Sequence, residues 1–277
     1  MRAVTAEHRA TTRTLVITSP RSELGAALSE QAGAVAAALA APVLLSVASQ
    51  PPNTLLHDGH AWKSHTPARI VADARRAVTA ARRARASLLV HASYAFLRAA
   101  EPGGRPGDRL RPIVDAGLEA EAIVLDAGVA ASVVRLGYLY GQRSRDLRAY
   151  RRAFRLGRPY WAGPTRRRHD FLHVDDAVRA LLRAAQQART SGIHYATDGH
   201  PLPFATFMDY FARRVGNRLP LRLPAISRPF SHLVVAEEHM QMVELGVSGP
   251  ARPQVRGFRP RFADYRAGID QIVDSWG

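Results

Sequence analysis

ASVVRLGYLYG, residues 131–141, opens as a largely apolar run interrupted by Ser132 and Arg135 and then breaks at a glycine into alternating aromatics. A strand apolar at most positions is covered on both faces, which is the habit of a parallel sheet between helices. The flanks agree. DAGLEAEAIVLDAG (115–128) before it has helical spacing within a helix of about 111–127, and an arginine-rich helix of about 144–156 follows it. Further out, TLVIT (14–18), APVLLSV (41–47), SLLVHAS (87–93), DFLHV (170–174) and GIHYAT (192–197) read as short strands. The helices between them run through an alanine-rich stretch to Leu39, from Thr66-Pro67 to about Arg85, from an Asp175 cap to Gln187, over 203–215, and from Phe262 to Trp276. Strands alternating with helices of ten residues or more define an α/β, doubly wound parallel sheet.

Composition bounds the function. The 277 residues are 47% hydrophobic, which makes a globular chain, and no run approaches the ~20 apolar residues of a membrane span. MRAVTAEHRATTRT carries no secretory pattern, so the expected location is cytoplasmic with no membrane partner. With zero cysteines, thiolate metal sites, disulfides and cysteine nucleophiles are excluded. His57, His60 and His65 share a loop with Asp58 in no recognised ligand spacing, and the expected metal set is none. Lys63 is the only lysine among 39 basic residues, and the formal net charge is +16. Such a charge suits phosphate, nucleic acid or an acidic partner, and equally a genome that writes arginine for lysine. The densest group, Arg143 to Arg168, contains Arg143, Arg145 and Arg168, which suit an anionic small-molecule substrate.

SVVRLGYLYG (132–141), HDFLHVDDAVRALLRAA (169–185) and SLLVHAS (87–93), in that spacing, resemble the extended short-chain dehydrogenase/reductase family, also called the NAD-dependent epimerase/dehydratase family. The resemblance implies a Rossmann-like domain over 13–157, rejoined by 169–197. It also implies a small substrate-side subdomain from 158–168 and 198–277, while the polar residues 1–12 are expected on composition to form a flexible N-terminus. About twenty residues of loop (48–66) stand where the family would place two strands and a crossover, so the sheet is expected to be shortened after the second strand. Family members pair through the helices at 68–85 and 111–127. The first of these carries Arg75, Arg76, Arg82, Arg83 and Arg85, which argues against that mode while leaving an oligomer open.

The same resemblance exposes departures. The three glycines of the family's phosphate turn fall on Ser19, Ser22 and Gly25, with Arg21 beside them, so a degenerate cofactor site is expected at Ser19, Arg21, Ser22 and Gly25. The tyrosine and lysine of the catalytic pair fall on Ile113 and Gly117, and a single lysine excludes a Tyr-x-x-x-Lys anywhere. Ser93 fits the family's serine. Tyr94 with Arg98 keeps an i, i+4 spacing, and Tyr138 with Tyr140 lies on the substrate side. The expected catalytic residues are therefore Ser93, Tyr94, Arg98 and Tyr138, and the expected substrate-binding ones Tyr140, Arg143, Arg145 and Arg168. Arg135, Asp175 and Asp176 read as structural and His91 as a core histidine. These departures lead to the expectation of no cofactor, with NAD(P) bound weakly if at all. The expected activity is then a non-redox proton transfer, cyclisation or isomerisation in small-molecule metabolism. Alternatives are an NAD(P)-dependent reductase or epimerase with non-standard residues, and a pseudoenzyme acting as a partner subunit or RNA binder.

Overall fold

A computed structural model describes residues 15–18, 22–47, 66–100, 105–187, 191–231, 235–246 and 253–277. In chain order the elements are β1 (Leu15–Ile17), α1 (Glu23–Gln31), α2 (Gly33–Ala38), β2 (Val43–Ser46), α3 (Thr66–Arg83), β3 (Leu88–Tyr94) and a 3-10 turn (Ala95–Ala100). There follow α4 (Arg111–Leu125), β4 (Ala131–Leu136), β5 (Tyr138–Tyr140), α5 (Arg145–Arg155), β6 (Tyr160–Trp161), β7 (Arg168–His169) and β8 (Phe171–His173). The last are α6 (Val174–Ala185), β9 (Gly192–Ala196), β10 (Leu202–Pro203), α7 (Phe204–Arg214), β11 (Arg222–Leu223), α8 (Arg228–Ser231), α9 (Glu237–Leu245) and α10 (Tyr265–Ser275). The expected alanine-rich helix is two, broken at Ala32, beyond which Gly33 opens α2.

The main sheet is parallel, in the order β1-β2-β3-β4-β9. Successive side chains leave a strand on opposite faces. Val43, Leu45, Leu88 and Val90 pack with Leu24 and Leu28 of α1 and Val178 and Leu181 of α6. Leu44, Leu89 and Val133 pack with Ile70, Ala74 and Val78 of α3 and Ile113 and Val114 of α4. A strand order that advances one way would put same-handed crossovers on a single face. Here α1 and α6 lie opposite α3 and α4, so the two pairs differ in hand. With α3 and α4 in the common right-handed sense, the β1–α1–β2 crossover is left-handed.

The strand order shows which strands are missing. The usual doubly wound order is 3-2-1-4-5-6, with the first strand interior. Among the described residues β1 is the edge, and β2, between β1 and β3, occupies the place of the fourth strand. Residues 32–42 between α1 and β2 form only α2 and a short link, where the usual fold builds its second and third strands. The sheet is shortened on the side beyond β1.

A separate aromatic core joins β5, β6, β8, α5, α7 and α10 around Tyr140, Tyr150, Phe154, Tyr160, Phe171, Phe207 and Phe211. Phe171 stacks on Phe207 at 4.3 Å. The cap of α6 differs from expectation. His173 takes it, its Nδ1 accepting from Asp175 N at 3.2 Å, while Asp175 sits in the first turn. Asp176 is structural as expected, its carboxylate accepting from Arg261 N and Phe262 N at 2.7 and 2.8 Å. This ties the C-terminal segment to α6. Arg75 pairs with Glu119 across the exposed α3–α4 surface. Among the described residues no helix is long and apolar enough to cross a membrane, and no three His, Asp or Glu are placed to hold a metal. The histidine loop at 57–65 lies outside the described residues.

Candidate active site at the carboxyl edge of the sheet

β3 and β4 end side by side at Tyr94 and Leu136. Gly137 then carries the chain past β8 so closely that a Cβ there would lie 3.0 Å from the Phe171 carbonyl. This approach lets Tyr138 N donate to Asp170 O at 2.7 Å and sets Tyr138 at the sheet's mouth. From the far side Asp198, just past β9, donates its N–H to Phe171 O at 2.8 Å. Tyr94, Arg98, Tyr138, Asp170 and Asp198 therefore belong to one end of the sheet.

The Tyr94 and Tyr138 hydroxyls are buried without a hydrogen-bond partner among the described residues. Burial drives both pKa values well up, helped by Glu121 at Tyr94 and Asp146 at Tyr138. Both stay protonated at neutral pH, as hydrogen-bond donors and not bases. Tyr138 meets Phe171 and Phe204 edge-on at 5.6 and 5.8 Å. Replacing Tyr138 by phenylalanine deletes an unmatched hydroxyl, so denaturant melts should show unchanged stability or a gain of up to ~1 kcal/mol. The Tyr94 hydroxyl is not bonded to Arg98. The charge of Arg98 acts on Asp170, lowering a pKa that burial raises.

Ser93 is placed differently. Its Oγ donates to Glu121 Oε1 at 2.5 Å, and Arg135 grips the same carboxylate through Nε and Nη2 at 2.9 and 2.8 Å. Arg135 Nη1 also donates to the Tyr195 hydroxyl at 2.7 Å. All of Ser93, Glu121, Arg135 and Tyr195 are buried, and Arg135 has the structural role expected of it. His91 faces Ser46 at 3.1 Å, its pKa pushed down to about 4 by burial, a neutral core imidazole. Tyr140 runs into packing, where a Cβ on Gly268 would come within 2.6 Å of its hydroxyl oxygen.

Two carboxyls carry the most unusual electrostatics, and sequence reading passed over both. Asp198 is buried; one oxygen accepts from His200 N at 3.0 Å and the other has no partner. Burial pushes its pKa up to about 7, with Asp170 adding to the effect. TDGH (197–200) has the signature of a turn, and the aspartate's turn bond is indeed formed, so nothing in the sequence marked its second oxygen. Glu23, in the first turn of α1, is also raised to about 7 by burial, against Arg148, Arg143 and Arg145, which lower it. The start of the arginine cluster thus faces the N-terminus of α1. Arg143 further pairs with Glu30 at 2.9 Å, and Arg168, exposed, donates to Pro201 O. Two neutral histidines, His169 and His239, flank Phe204, with pKa values lowered to about 4 and 3 by burial.

Ser22 caps α1, its Oγ accepting from Gly25 N at 3.1 Å; Ser19 and Arg21 lie outside the described residues. A strand leading to a helix N-terminus, beside the carboxyl ends of parallel strands, is the architecture of dinucleotide-binding proteins. The model of the NAD dependent epimerase/dehydratase family matches residues 118–196. A 3-diazoavenalumate denitrifying reductase from a Streptomyces species is 33% identical over 211 residues, covering 69% of this chain and 67% of that one. The chain belongs to the NAD-dependent epimerase/dehydratase family of extended short-chain dehydrogenases/reductases.

Solved structures share the fold. Human epimerase family protein SDR39U1 (isoform 2), with NADPH, aligns at TM-score 0.69 and 15% identity over 94% of this chain and 99% of that one. MoeE5 with UDP-glucose and NAD aligns at 0.66 and 17% over 94% and 97%. RMD from Pseudomonas aeruginosa with NADPH aligns at 0.64 and 16% over 95% and 98%.

These findings overturn the expectation of a chain without a cofactor. The family is NAD dependent, and these neighbours were solved with NADPH or NAD. The sequence argument equated lost glycines with a lost site, whereas β1, the start of α1 and the carboxyl edge are all in place. The residues present fit the group. The first N–H groups of α1 have no intrahelical partners. Arg143, Arg145 and Arg148 make the surroundings net positive, and the unpartnered Glu23 Oε1 is an acceptor for a ribose hydroxyl. The cofactor-independent, non-redox reading falls with the expectation it rested on.

Proposed function

We propose that this protein is an NAD(P)H-dependent reductase of an aromatic electrophile that needs no proton from the enzyme, a diazo compound above all. Similarity to a reductase named for a diazo substrate and for denitrification, across two thirds of both chains, carries the reading. The reduced dinucleotide supplies hydride; on an aryl diazonium, hydride replaces the C–N bond with C–H and N2 leaves. A carbonyl acceptor builds negative charge on oxygen and needs a general acid, whereas a diazonium arrives positive and is neutralised. A chain with one lysine and no Tyr-x-x-x-Lys suits the second kind. Tyr94 and Tyr138 would orient the substrate by donating hydrogen bonds, Phe171 and Phe204 would hold its ring, and Asp170 and Asp198 would favour its positive charge. Arg168, exposed beyond them, suits a carboxylate on the same substrate.

The test is an aryl diazonium carboxylate incubated with NADPH and protein, following NADPH loss and N2 release. The two should appear one for one, with no matching reduction of ketones. Tyr138→Phe and Asp198→Asn should each lower kcat/KM at least ~10-fold, the value of one lost hydrogen bond or charge contact in the transition state. NADPH oxidation by ketones but not by diazo compounds would sink the reading.

A further inference from the structure

We infer that His239 is a specificity-determining residue of this site. Its imidazole Nε2 makes the polar contact that selects an aromatic substrate bearing an uncharged hydrogen-bonding group, such as a hydroxyl, on its ring. The inference rests on the reductase reading above only in taking Phe204 as a surface that holds that ring, and it deepens the reading by naming what the ring carries. Phe204 meets Tyr138 at 5.8 Å and His239 at 5.5 Å, both at steep angles. His239 is 3% exposed, and its Nε2 has no hydrogen-bond partner among the described residues. His169, against the same Phe204 ring at 5.9 Å, is the contrast. It is buried too, but its Nε2 lies 3.1 Å from Val243 O, so that nitrogen is satisfied within the protein. A buried polar atom left unmatched costs ~1–3 kcal/mol, and a ligand that completes it recovers that cost.

The helix that carries His239 is held from several sides. Met240 and Val243 of α9 lie in the aromatic core, whereas Met242 and Leu245 lie in the core that contains Ile113 and Val114 of α4. α9 therefore spans the two halves of the molecule. Arg228 grips both Glu237 and Glu244, Gln241 Oε1 accepts from Leu110 N at 2.9 Å, and the His169 bond reaches Val243 one turn beyond His239. A group supported in this way keeps its place when a ligand arrives. Burial, with His169 adding to the effect, holds the His239 pKa down at about 3, so the ring is neutral at neutral pH and offers one donor and one acceptor. A hydroxyl matches either role. An ionised substituent would give up its hydration for a ring with no charge to return.

Calorimetry of the full-length protein with 3-(4-hydroxyphenyl)propanoate and 3-phenylpropanoate tests this without cofactor or turnover. The hydroxylated compound should bind at least ~10-fold more tightly, the value of one buried hydrogen bond that the other leaves unmade. In His239→Phe and His239→Leu the preference should fall to within about twofold, because an apolar pocket barely tells a ring from its hydroxylated form. Either variant suffices, provided that it keeps the parent's thermal unfolding transition. Equal binding of the two compounds by the parent overturns the inference, as does a preference that survives in a folded variant or no binding of either compound. None of these outcomes touches the reductase reading, which stands or falls on NADPH oxidation. Conversely, a preference that the variants abolish upholds the role of His239 even in a protein that reduces neither diazo compounds nor ketones.

Discussion

Replacing Arg135 by methionine should destabilise the protein by about 3–5 kcal/mol, the cost of leaving a buried charge without its partner. Glu121 lies on α4 and Arg135 on β4; both are about 97% buried and joined by two parallel hydrogen bonds. Removing the guanidinium strands the carboxylate in an apolar layer and also takes the donor from the Tyr195 hydroxyl. Ser93 alone would remain on Glu121. Pairing Arg135→Met with Glu121→Leu should recover most of the loss, because an apolar pair of similar volume leaves no charge to desolvate. Chemical unfolding of the two single variants and the double variant measures the coupling. Additive losses in the double variant would show that the pair does not act as a unit.

Stability should also fall as pH rises from about 4 to 7, against the trend of most proteins. Asp198 has a pKa near 3.8 unfolded and about 7 folded. Between these values the folded state holds a proton that the unfolded state lacks, so raising the pH favours unfolding. Each pH unit across the window costs ~1.4 kcal/mol, and three units give on the order of 4 kcal/mol. Above pH 7 the loss is complete and the curve flattens. Glu23, raised from 4.5 to about 7, bends it the same way. Asp198→Asn keeps a turn acceptor for His200 N and cannot ionise. The variant should therefore be more stable than the parent by ~2–4 kcal/mol at pH 8 and almost equal to it near pH 3.5. A flat difference between the two pH values would refute the assignment.

The strands were legible because a sheet covered on both faces needs mostly apolar residues, and VLLS (43–46), LLVHASY (88–94) and ASVVRL (131–136) are apolar but for Ser46, His91, Ser93, Ser132 and Arg135, each of them buried. The same property hid their order. An interior strand reads alike in second or fourth place, so VLLS could not announce that it pairs with both β1 and β3. Capping was misplaced at Asp175 because aspartate is the commoner cap, while His173 does the work through a ring nitrogen. Tyr94, Arg98 and Tyr138 were singled out through their positions at or just past strand ends. Glu23 and Asp198 were not, because their character comes from burial and from partners distant in the chain. The missing lysine was legible, but its meaning depends on the substrate: under the proposed reading, a site without an ammonium would be unsuited to ketones and suited to a cation.

The edge position of β1 ties ligand binding to local order. Among the described residues, the three of β1 pair with β2 alone, whereas the opposite edge of the sheet, β9, is covered by Pro253–Val255, with Tyr195 N donating to Pro253 O and Val255 N to Tyr195 O. The seam holding β1 and α1 is thus a short ladder, the bond from Val47 N to Thr18 Oγ1, the Arg143–Glu30 pair and the contact of Leu24 and Leu28 with α6. Such a unit can open by itself while the centre of the sheet stays closed. A ligand at the head of α1 binds only the closed form, so its apparent affinity carries the fraction of molecules in which that seam is shut. Cofactor and sheet edge would then stabilise each other, and the saturated protein would be a more cooperative molecule than the empty one.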